Sequence, residues 1–548
     1  AALLSASIHY PLRGAVTWKS VVGTNVASDA IANLASTGVT GGALMIIGED
    51  YGEGSSIMQE RTHSFAMKSS LPLIDPRYDM TKLVELTEQA FEMSEASHLP
   101  VFMTLRIRAC HMTGSFIAKD NKVPEFNLNN PVPEAAYDVT KIVLPPASYN
   151  HEQDKFAERL PAVQRFIREH GINEIFAGDG GRYGIITQGG AHGMVARSLR
   201  QLGAADGYGN SDVPMLVLNV IHPLVPEEIA EFMSDKDSVL VVEEGNPNLI
   251  ETQIAQIAHN NRINCRVRGK DVLPMAGEYV TDVVRAGLAD YLAADGPGQL
   301  RAAAEANEAA IMRARDTARA CLSDALPEPM PPRPPSFCTG CPERPVFAAL
   351  KLLMAERGPM HLSMDIGCNL FGALAPFHVG NTVLGYGLSL ASGGAVGPIL
   401  DQPIVAVMGD GGFWHNGLTT GAINAQWNKY DAVLIILDNG YASATGQHKL
   451  PSTGMTPKGL ASKISIESSL KGLGVDWIER VDSYNLPETI GALRKALDAR
   501  GPRLRVILSN NECMLAVQRR ERTIKAKALQ AGSTGTNEKF GGDAEVCT

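Results

Sequence analysis

The chain has 548 residues, enough for roughly two to four domains, and its 45% hydrophobic and 20% charged content is ordinary for a globular protein. A formal net charge of −10 without a basic block excludes the electrostatics of nucleic-acid binding. Apolar runs such as Val433-Leu434-Ile435-Ile436-Leu437 stop far short of the ~20 residues that span a bilayer, and no charged-then-apolar signal peptide opens the chain.

The first residues, Ala1-Ala2-Leu3-Leu4, lie inside an apolar segment and do not begin with Met, which predicts that residues are missing at the start. The eight cysteines are too sparse for a disulfide framework and fit a reducing cytoplasm. The single Cys-x-x-Cys, Cys338 and Cys341, lacks the second ligand pair of a structural zinc site nearby in sequence. It reads as a turn opening a helix after Pro342.

Gly and Pro punctuate alternating strand-like and helix-like segments, the pattern of α/β layers. Residues 42–48 predict a buried strand, 81–97 a helix (Leu83, Leu86, Ala90, Met93), and 99–105 a strand. Residues 121–150, rich in Pro and Asn, predict a surface excursion, and 156–170 an amphipathic helix. Strands follow at 184–187, 215–220 and 238–242, with helices at 194–202 and after Glu243, where Ile250, Ile254 and Ile257 share a face. A helix over 300–321 runs into Pro327, Pro329, Pro331, Pro332, Pro334 and Pro335, a stiff spacer. The tail over 531–548 is rich in Gly, Ser and Thr and reads as mobile.

The segment after the Pro-rich spacer carries the sharpest chemical signal. Residues 403–408 are continuously apolar, as in a strand buried on both faces of a parallel sheet, and end at Gly409-Asp410-Gly411-Gly412. A helix over 417–428 and a strand over 432–437 follow, ending at Asp438-Asn439. This β-α-β crossover sets Asp410 and Asn439 at the carboxyl ends of two parallel strands, where open α/β sheets bind ligands. Mg²⁺ takes about six oxygen ligands and shares them with phosphates. Asp410, the Asn439 amide and the Tyr441 carbonyl would supply three. Glycines beside Asp410 would let a diphosphate approach the backbone. Gly178-Asp179-Gly180-Gly181 precedes a strand instead of ending one, so it reads as a turn.

The segment from Gly409 to Asn439 resembles the thiamine diphosphate motif, and Tyr441-Ala442-Ser443-Ala444-Thr445-Gly446-Gln447 resembles its 2-oxoacid:ferredoxin oxidoreductase form. Cys338-Thr339-Gly340-Cys341-Pro342-Glu343-Arg344, Asp365-Ile366-Gly367-Cys368, the stretch from Trp18 to Ala27, Tyr183-Gly184-Ile185-Ile186-Thr187 and Gly269-Lys270-Asp271-Val272-Leu273-Pro274 are similar to segments of the indolepyruvate ferredoxin oxidoreductase large-subunit family. The resemblance implies an α/β chain of doubly wound domains. They are a pyrimidine-binding domain over 1–175, a transketolase C-terminal-like domain over 176–292, a helix and Pro-rich linker over 293–335, and a diphosphate-binding domain over 336–525. Residues 526–548 would be a tail toward a ferredoxin-like domain absent from this chain.

The resemblance further implies that Asp410, Asn439 and Tyr441 bind Mg²⁺, and that Cys341, Ile366, Gly367, Cys368, Gly409, Gly411 and Ser443 line the thiamine diphosphate pocket. Lys19 and Asn25 would lie near the substrate; read alone, Lys19 is a solvated charge and Asn25 a helix cap. The family's cofactor-activating Glu would precede Ala1, since Asp29 is the only acid before Glu49. Its [4Fe–4S] clusters would follow Thr548, and the family's His after Cys-Pro is Glu343 here. The implied reaction is oxidative decarboxylation of an aryl 2-oxoacid such as indolepyruvate. Coenzyme A would take the acyl group and ferredoxin or a similar acceptor the electrons, with a smaller beta subunit as partner and dimerisation of the assembly. Two alternatives are a non-oxidative thiamine-dependent decarboxylase or carboligase and a cofactor-binding scaffold subunit.

Overall fold

The computed structural model describes every residue except 52–57, 60, 128, 135–136, 179–180, 208–209, 327, 329–333, 401, 463 and 534–548. Two units divide the chain, Ala1–Pro331 and Pro332–Thr548. Among the described residues no helix is long and apolar enough to cross a membrane.

The first unit contains, in chain order, β1 (Gly14–Lys19), β2 (Ala43–Glu49), β3 (Leu73–Ile74), β4 (Val101–Arg106), β5 (Glu174–Phe176), β6 (Tyr183–Gln188), β7 (Met215–Leu218), β8 (Val220–His222), β9 (Ser238–Val242) and β10 (Arg266–Arg268). They form two sheets, ordered β1-β2-β4-β3-β8 and β10-β9-β6-β7-β5. All pairings are parallel except β3 with β8 and β5 with β7. Helices Asn25–Thr37, Met80–Ser97, His192–Leu202 and Leu249–Asn260 connect them.

The single strand expected over 215–220 is two strands that belong to different sheets. Asn219 breaks the ladder between β7 and β8. Its Oδ1 accepts from the Arg77 N–H at 2.8 Å, its Nδ2 donates to the Ile172 carbonyl at 2.8 Å, and its own carbonyl accepts from Asp75 N–H at 2.9 Å. A buried amide thus satisfies backbone that has left both ladders. The expected helix over 156–170 begins earlier and runs from Ala147 to Glu169, with Val163, Phe166 and Ile167 buried. The expected linker helix is Gly298–Ala325, and its first half is docked. Ala304 is buried, Asn307 Nδ2 donates to the Leu202 carbonyl at 3.0 Å, and Glu308 pairs with Arg285. Pro334 and Pro335 lie in neither helix nor strand; Pro327, Pro329, Pro331, Pro332, Asp179, Gly180 and residues 534–548 lie outside the described residues.

The second unit holds β11 (Leu362–Met364), β12 (Thr382–Val383), β13 (Ile404–Gly409), β14 (Ala432–Asp438), β15 (Trp477–Asp482) and β16 (Leu504–Asn510). They form one parallel sheet in the order β12-β11-β13-β14-β16-β15. Side chains alternate across it. Val405, Val407, Val433 and Ile435 pack with helices Arg344–Arg357 and Leu486–Asp498 on one face, while Ala406, Met408, Leu434 and Ile436 pack with Leu390, Phe413 and Ala422 on the other. Both faces are dry, which is why β13 and β14 read as continuous apolar runs. Each large aliphatic side chain buried here stabilises the unit by about 1.5–3 kcal/mol.

The helix after β13 does not begin at residue 417 as expected. It begins at Asp410 and runs to Trp427, with wide turns over Phe413–Ile423. Three of its first eight residues are glycines, which discourages a helix on propensity alone. Close packing decides otherwise. A Cβ at Gly417 would stand 2.6 Å from Met408 Sδ, and one at Gly412 would stand 1.8 Å from Asp365 Oδ2.

Candidate functional site at the strand ends of the second unit

Four neighbouring strands end on the same edge of this sheet. The segment after β11 carries Asp365, Ile366, Gly367 and Cys368; β13 ends at Gly409 and Asp410; β14 is followed by Asn439; and Cys513 follows β16. Gly409 stands opposite Leu437, so Asp410 and Asn439 emerge side by side. Cys513 N–H donates to the Asn439 carbonyl at 3.1 Å, tying the fourth strand end to the third.

Asp410 is 1% exposed. Its Oδ1 accepts from Gly411 N–H at 2.8 Å and its Oδ2 from Gly440 N–H at 2.7 Å. Burial, and then the Asp438 charge, hold its carboxyl well above the ordinary carboxylate range. The Asn439 amide is oriented from both sides. Nδ2 donates to Glu343 Oε1 at 3.0 Å, while Oδ1 accepts from Ser443 Oγ at 2.8 Å and Tyr441 N–H at 3.3 Å. Ser443 Oγ also donates to the Tyr441 carbonyl at 3.3 Å. One hydroxyl therefore bridges two of the oxygens expected to bind metal.

The site is rich in buried acid. Burial pushes the carboxyl of Glu343 up to about 7, and that of Asp365 up to about 7. Glu343 Oε2 and Asp365 Oδ2 have no hydrogen-bond partner among the described residues. No lysine or arginine is among the groups that shift either carboxyl. Uncompensated buried carboxylates are costly, and a divalent cation would reverse that cost.

The glycines divide by role. A Cβ at Gly409 or Gly440 would meet nothing within 4 Å, so open space lies beside Asp410 there. Gly411 is small for a different reason than expected: a Cβ would meet Tyr386 Oη at 2.1 Å and Ala442 Cβ at 3.2 Å. The helix that starts at Asp410 presents its first N–H groups and positive dipole end at this opening, a setting for an anion. The donor set thus fits Mg²⁺ held with a diphosphate. Carboxylate, amide and carbonyl oxygens suit the ion, and the glycine-lined space suits the phosphates.

Cys338 N-terminal to the helix forms the expected turn, with Cys341 N–H donating to its carbonyl at 3.1 Å. The second cysteine pair missing from the local sequence comes from far away. Cys341 and Cys368 both lie within electrostatic range of Glu343, Cys338 and Cys513. Burial, and then Glu343, push the Cys341 thiol up to about 12 and the Cys368 thiol higher. Even so, no three His, Cys, Asp or Glu side chains among the described residues are placed to hold a metal by themselves. Glu343, Asp365, Tyr386 and Cys513 are site residues that spacing alone does not reveal. Asp365 and Glu343 sit in the segments that carry the resemblance; Cys513 has no sequence signal.

Lys19 and Asn25 belong to the first unit. Lys19 ends β1 and pairs with Asp50 at 3.0 Å. Asn25 does not cap its helix: the N-cap is Thr24, and Asn25 Nδ2 donates back to the Val21 carbonyl at 2.8 Å.

The thiamine pyrophosphate enzyme family, C-terminal TPP binding domain, matches residues 365–519, which begin just after β11, span β12 to β16 and include every strand end described above. The chain is similar to indolepyruvate oxidoreductase subunit IorA of Archaeoglobus fulgidus, 29% identical over 505 residues, and to the same subunit of Thermococcus kodakarensis, 28% identical over 516 residues. In both cases the match takes in 91% of this chain and 75% of the relative. The subunit from Methanothermobacter thermautotrophicus is 29% identical over 514 residues, taking in 91% of this chain and 76% of that one.

Proposed function

We propose that this chain, a relative of the indolepyruvate oxidoreductase subunits with a thiamine pyrophosphate enzyme domain in its second unit, is the thiamine-diphosphate- and Mg²⁺-binding subunit of an aryl 2-oxoacid oxidoreductase. The observation that carries the reading is the buried Asp410 beside an Asn439 whose amide oxygen is held in place, with glycine-lined space near Asp410. Asp410, Asn439 Oδ1 and the Tyr441 carbonyl would hold Mg²⁺, and Gly409, Gly411 and Ser443 would border the diphosphate. Cys341, Ile366, Gly367 and Cys368 would line the rest of the pocket. Bound thiamine diphosphate supplies the electron sink that lets a 2-oxoacid lose CO₂.

The remaining roles fall to the chain itself. Burial of the strand ends excludes water from the reacting carbon. Glu343 and Ser443 fix the amide that faces the metal. In this reading the first unit supplies a pyrimidine-binding layer over 1–175 and a transketolase C-terminal-like layer over 176–292, with Lys19 and Asn25 toward the substrate. The product is an acyl-CoA, electrons pass to ferredoxin or a similar acceptor, and a smaller subunit completes the enzyme.

Asp410→Ala provides the test. Titration calorimetry with thiamine diphosphate and Mg²⁺ is expected to show binding to the parent chain and none to the variant, with the melting curve of the variant still cooperative. Binding that survives the substitution removes the site. Turnover of indolepyruvate that requires both coenzyme A and an electron acceptor supports the oxidative reaction; aldehyde release without either would reassign the chain to non-oxidative decarboxylation.

A further inference from the structure

Tyr386 lies in a turn that the rest of the second unit holds from several sides. Glycines flank it, and both take a left-handed backbone that suits glycine, Gly385 at φ +69° and Gly387 at φ +80°. Gly387 N–H donates to Asp365 Oδ1, and Asn416 Nδ2 donates to the Tyr386 carbonyl at 3.1 Å. A Cβ on Gly387 would meet the Gly412 carbonyl oxygen at 2.4 Å and Gly417 N at 2.7 Å, so the turn packs directly against the helix that starts at Asp410. The Tyr386 ring lies beside His415 of that helix, with ring centroids 4.9 Å apart.

These contacts deliver the phenol hydroxyl to one place. A Cβ on Gly411 would stand 2.1 Å from Tyr386 Oη, so the hydroxyl lies against Gly411, between the Asp410 corner and Ala442. The side chain is partly buried, yet among the described residues nothing accepts from Oη or donates to it. Tyrosine hydroxyls taken out of water usually find a partner.

The chemistry around the hydroxyl selects that partner. A phenol keeps its proton at neutral pH and can donate. Asp365, Asp410 and Cys368 are the ionisable groups that bear on it, and no lysine or arginine is among them. An anion placed here would therefore be held by a metal ion and by neutral donors. The space beside Gly409 and Gly440, where the diphosphate is proposed, lies at the same corner. We propose that Tyr386 is a cofactor-binding residue whose hydroxyl donates a hydrogen bond to an anionic oxygen of the diphosphate, an inference that rests on the Mg²⁺–diphosphate reading of the Asp410 site.

Tyr386→Phe in the full chain tests it, because the substitution removes one oxygen and nothing else. Since Oη bonds to nothing in the chain, the variant without ligand is expected to melt at the parent's temperature. A lower melting temperature would give the hydroxyl a structural role and overturn the proposal. Hydrogen bonds to charged groups are the stronger ones, so calorimetry with Mg²⁺ present is expected to show a loss of affinity of about tenfold or more for thiamine diphosphate. A similar loss is expected for inorganic pyrophosphate, which lacks the thiamine rings. Loss for thiamine diphosphate alone would place the hydroxyl at the rings, and unchanged affinity for both would leave it facing water; either result overturns the contact. A parent chain that binds neither ligand would remove the Asp410 site itself and the proposal with it, so the parent's own binding tells the two failures apart.

Discussion

At the residue scale, Asn439 shows how neighbouring groups fix the orientation of an amide. Its Nδ2 is committed to Glu343 and its Oδ1 faces Ser443 and the Tyr441 backbone, so in the proposed site the oxygen would face the metal. Groups that orient a ligand typically cost 10–100-fold in metal affinity when removed. Glu343→Ala is therefore expected to weaken Mg²⁺-supported thiamine diphosphate binding by about 10–100-fold. Glu343→Gln, whose Oε1 still accepts from Nδ2, is expected to recover most of it. Equal loss in both variants, measured by calorimetry, would remove the orienting role.

Buried histidines in the first unit make a second residue-scale point. His63 and His222 face each other with ring centroids 6.0 Å apart. Burial lowers the His222 imidazole from the usual value of about 6.5 to about 4, and burial, then Arg61, lowers His63 well below its usual value. Between pH 4 and 6.5 the unfolded chain binds more protons than the folded one at these sites. Their contribution to stability is thus fully present above pH 6.5 and is lost as the pH falls toward 4. Urea melts are expected to show a falling midpoint from pH 7 to pH 5, and His222→Gln is expected to flatten that fall. A variant with the parent's full pH slope would rule out His222 as a contributor.

At the element scale, the strand-helix corner after β13 is fixed by packing that propensity opposes. The helix starts on Asp410 because Gly412 fits under Asp365 and Gly387 lies against the Gly412 carbonyl. Gly412→Ala would press a methyl onto a buried, unpartnered carboxylate oxygen. Overpacking of this kind costs about 1–3 kcal/mol. Chemical denaturation is expected to show that loss together with weaker cofactor binding, because the Asp410 corner must shift to relieve the contact. A variant with parental stability and affinity would show that the corner yields freely.

The same corner separates legible from hidden features. The two strands and the acid and amide at their ends are visible in the sequence because a strand buried on both faces needs continuous apolar residues. The helix start is not visible, because glycines suited to close packing look like a turn. The division of 215–220 at Asn219 is equally hidden: an apolar run announces burial but not which sheet receives it.

At the scale of the whole molecule, a formal net charge of −10 sets surface carboxylates against one another and works against the compact state. Screening shortens the reach of that repulsion to about 8 Å at physiological ionic strength and about 3 Å at 1 M. Urea melts are therefore expected to show a higher midpoint in 0.5 M than in 0.01 M sodium chloride. A midpoint that falls with salt would mean that surface ion pairs outweigh the net repulsion.

The sequence by itself determined the α/β layering, the β-α-β unit that sets Asp410 beside Asn439, and the resemblance to thiamine-dependent 2-oxoacid oxidoreductases. These are local matters: periodicity, strand-end chemistry and short motifs are written in neighbouring residues. Only the tertiary structure decided that Glu343 orients Asn439, that Asp365 lies over Gly412, and that Cys513 joins Cys338, Cys341 and Cys368. It also decided that Ile117, Val123 and Tyr137 stand exposed. Those contacts depend on which strands become neighbours in the sheet and on where each segment is fastened, and no spacing along the chain encodes either.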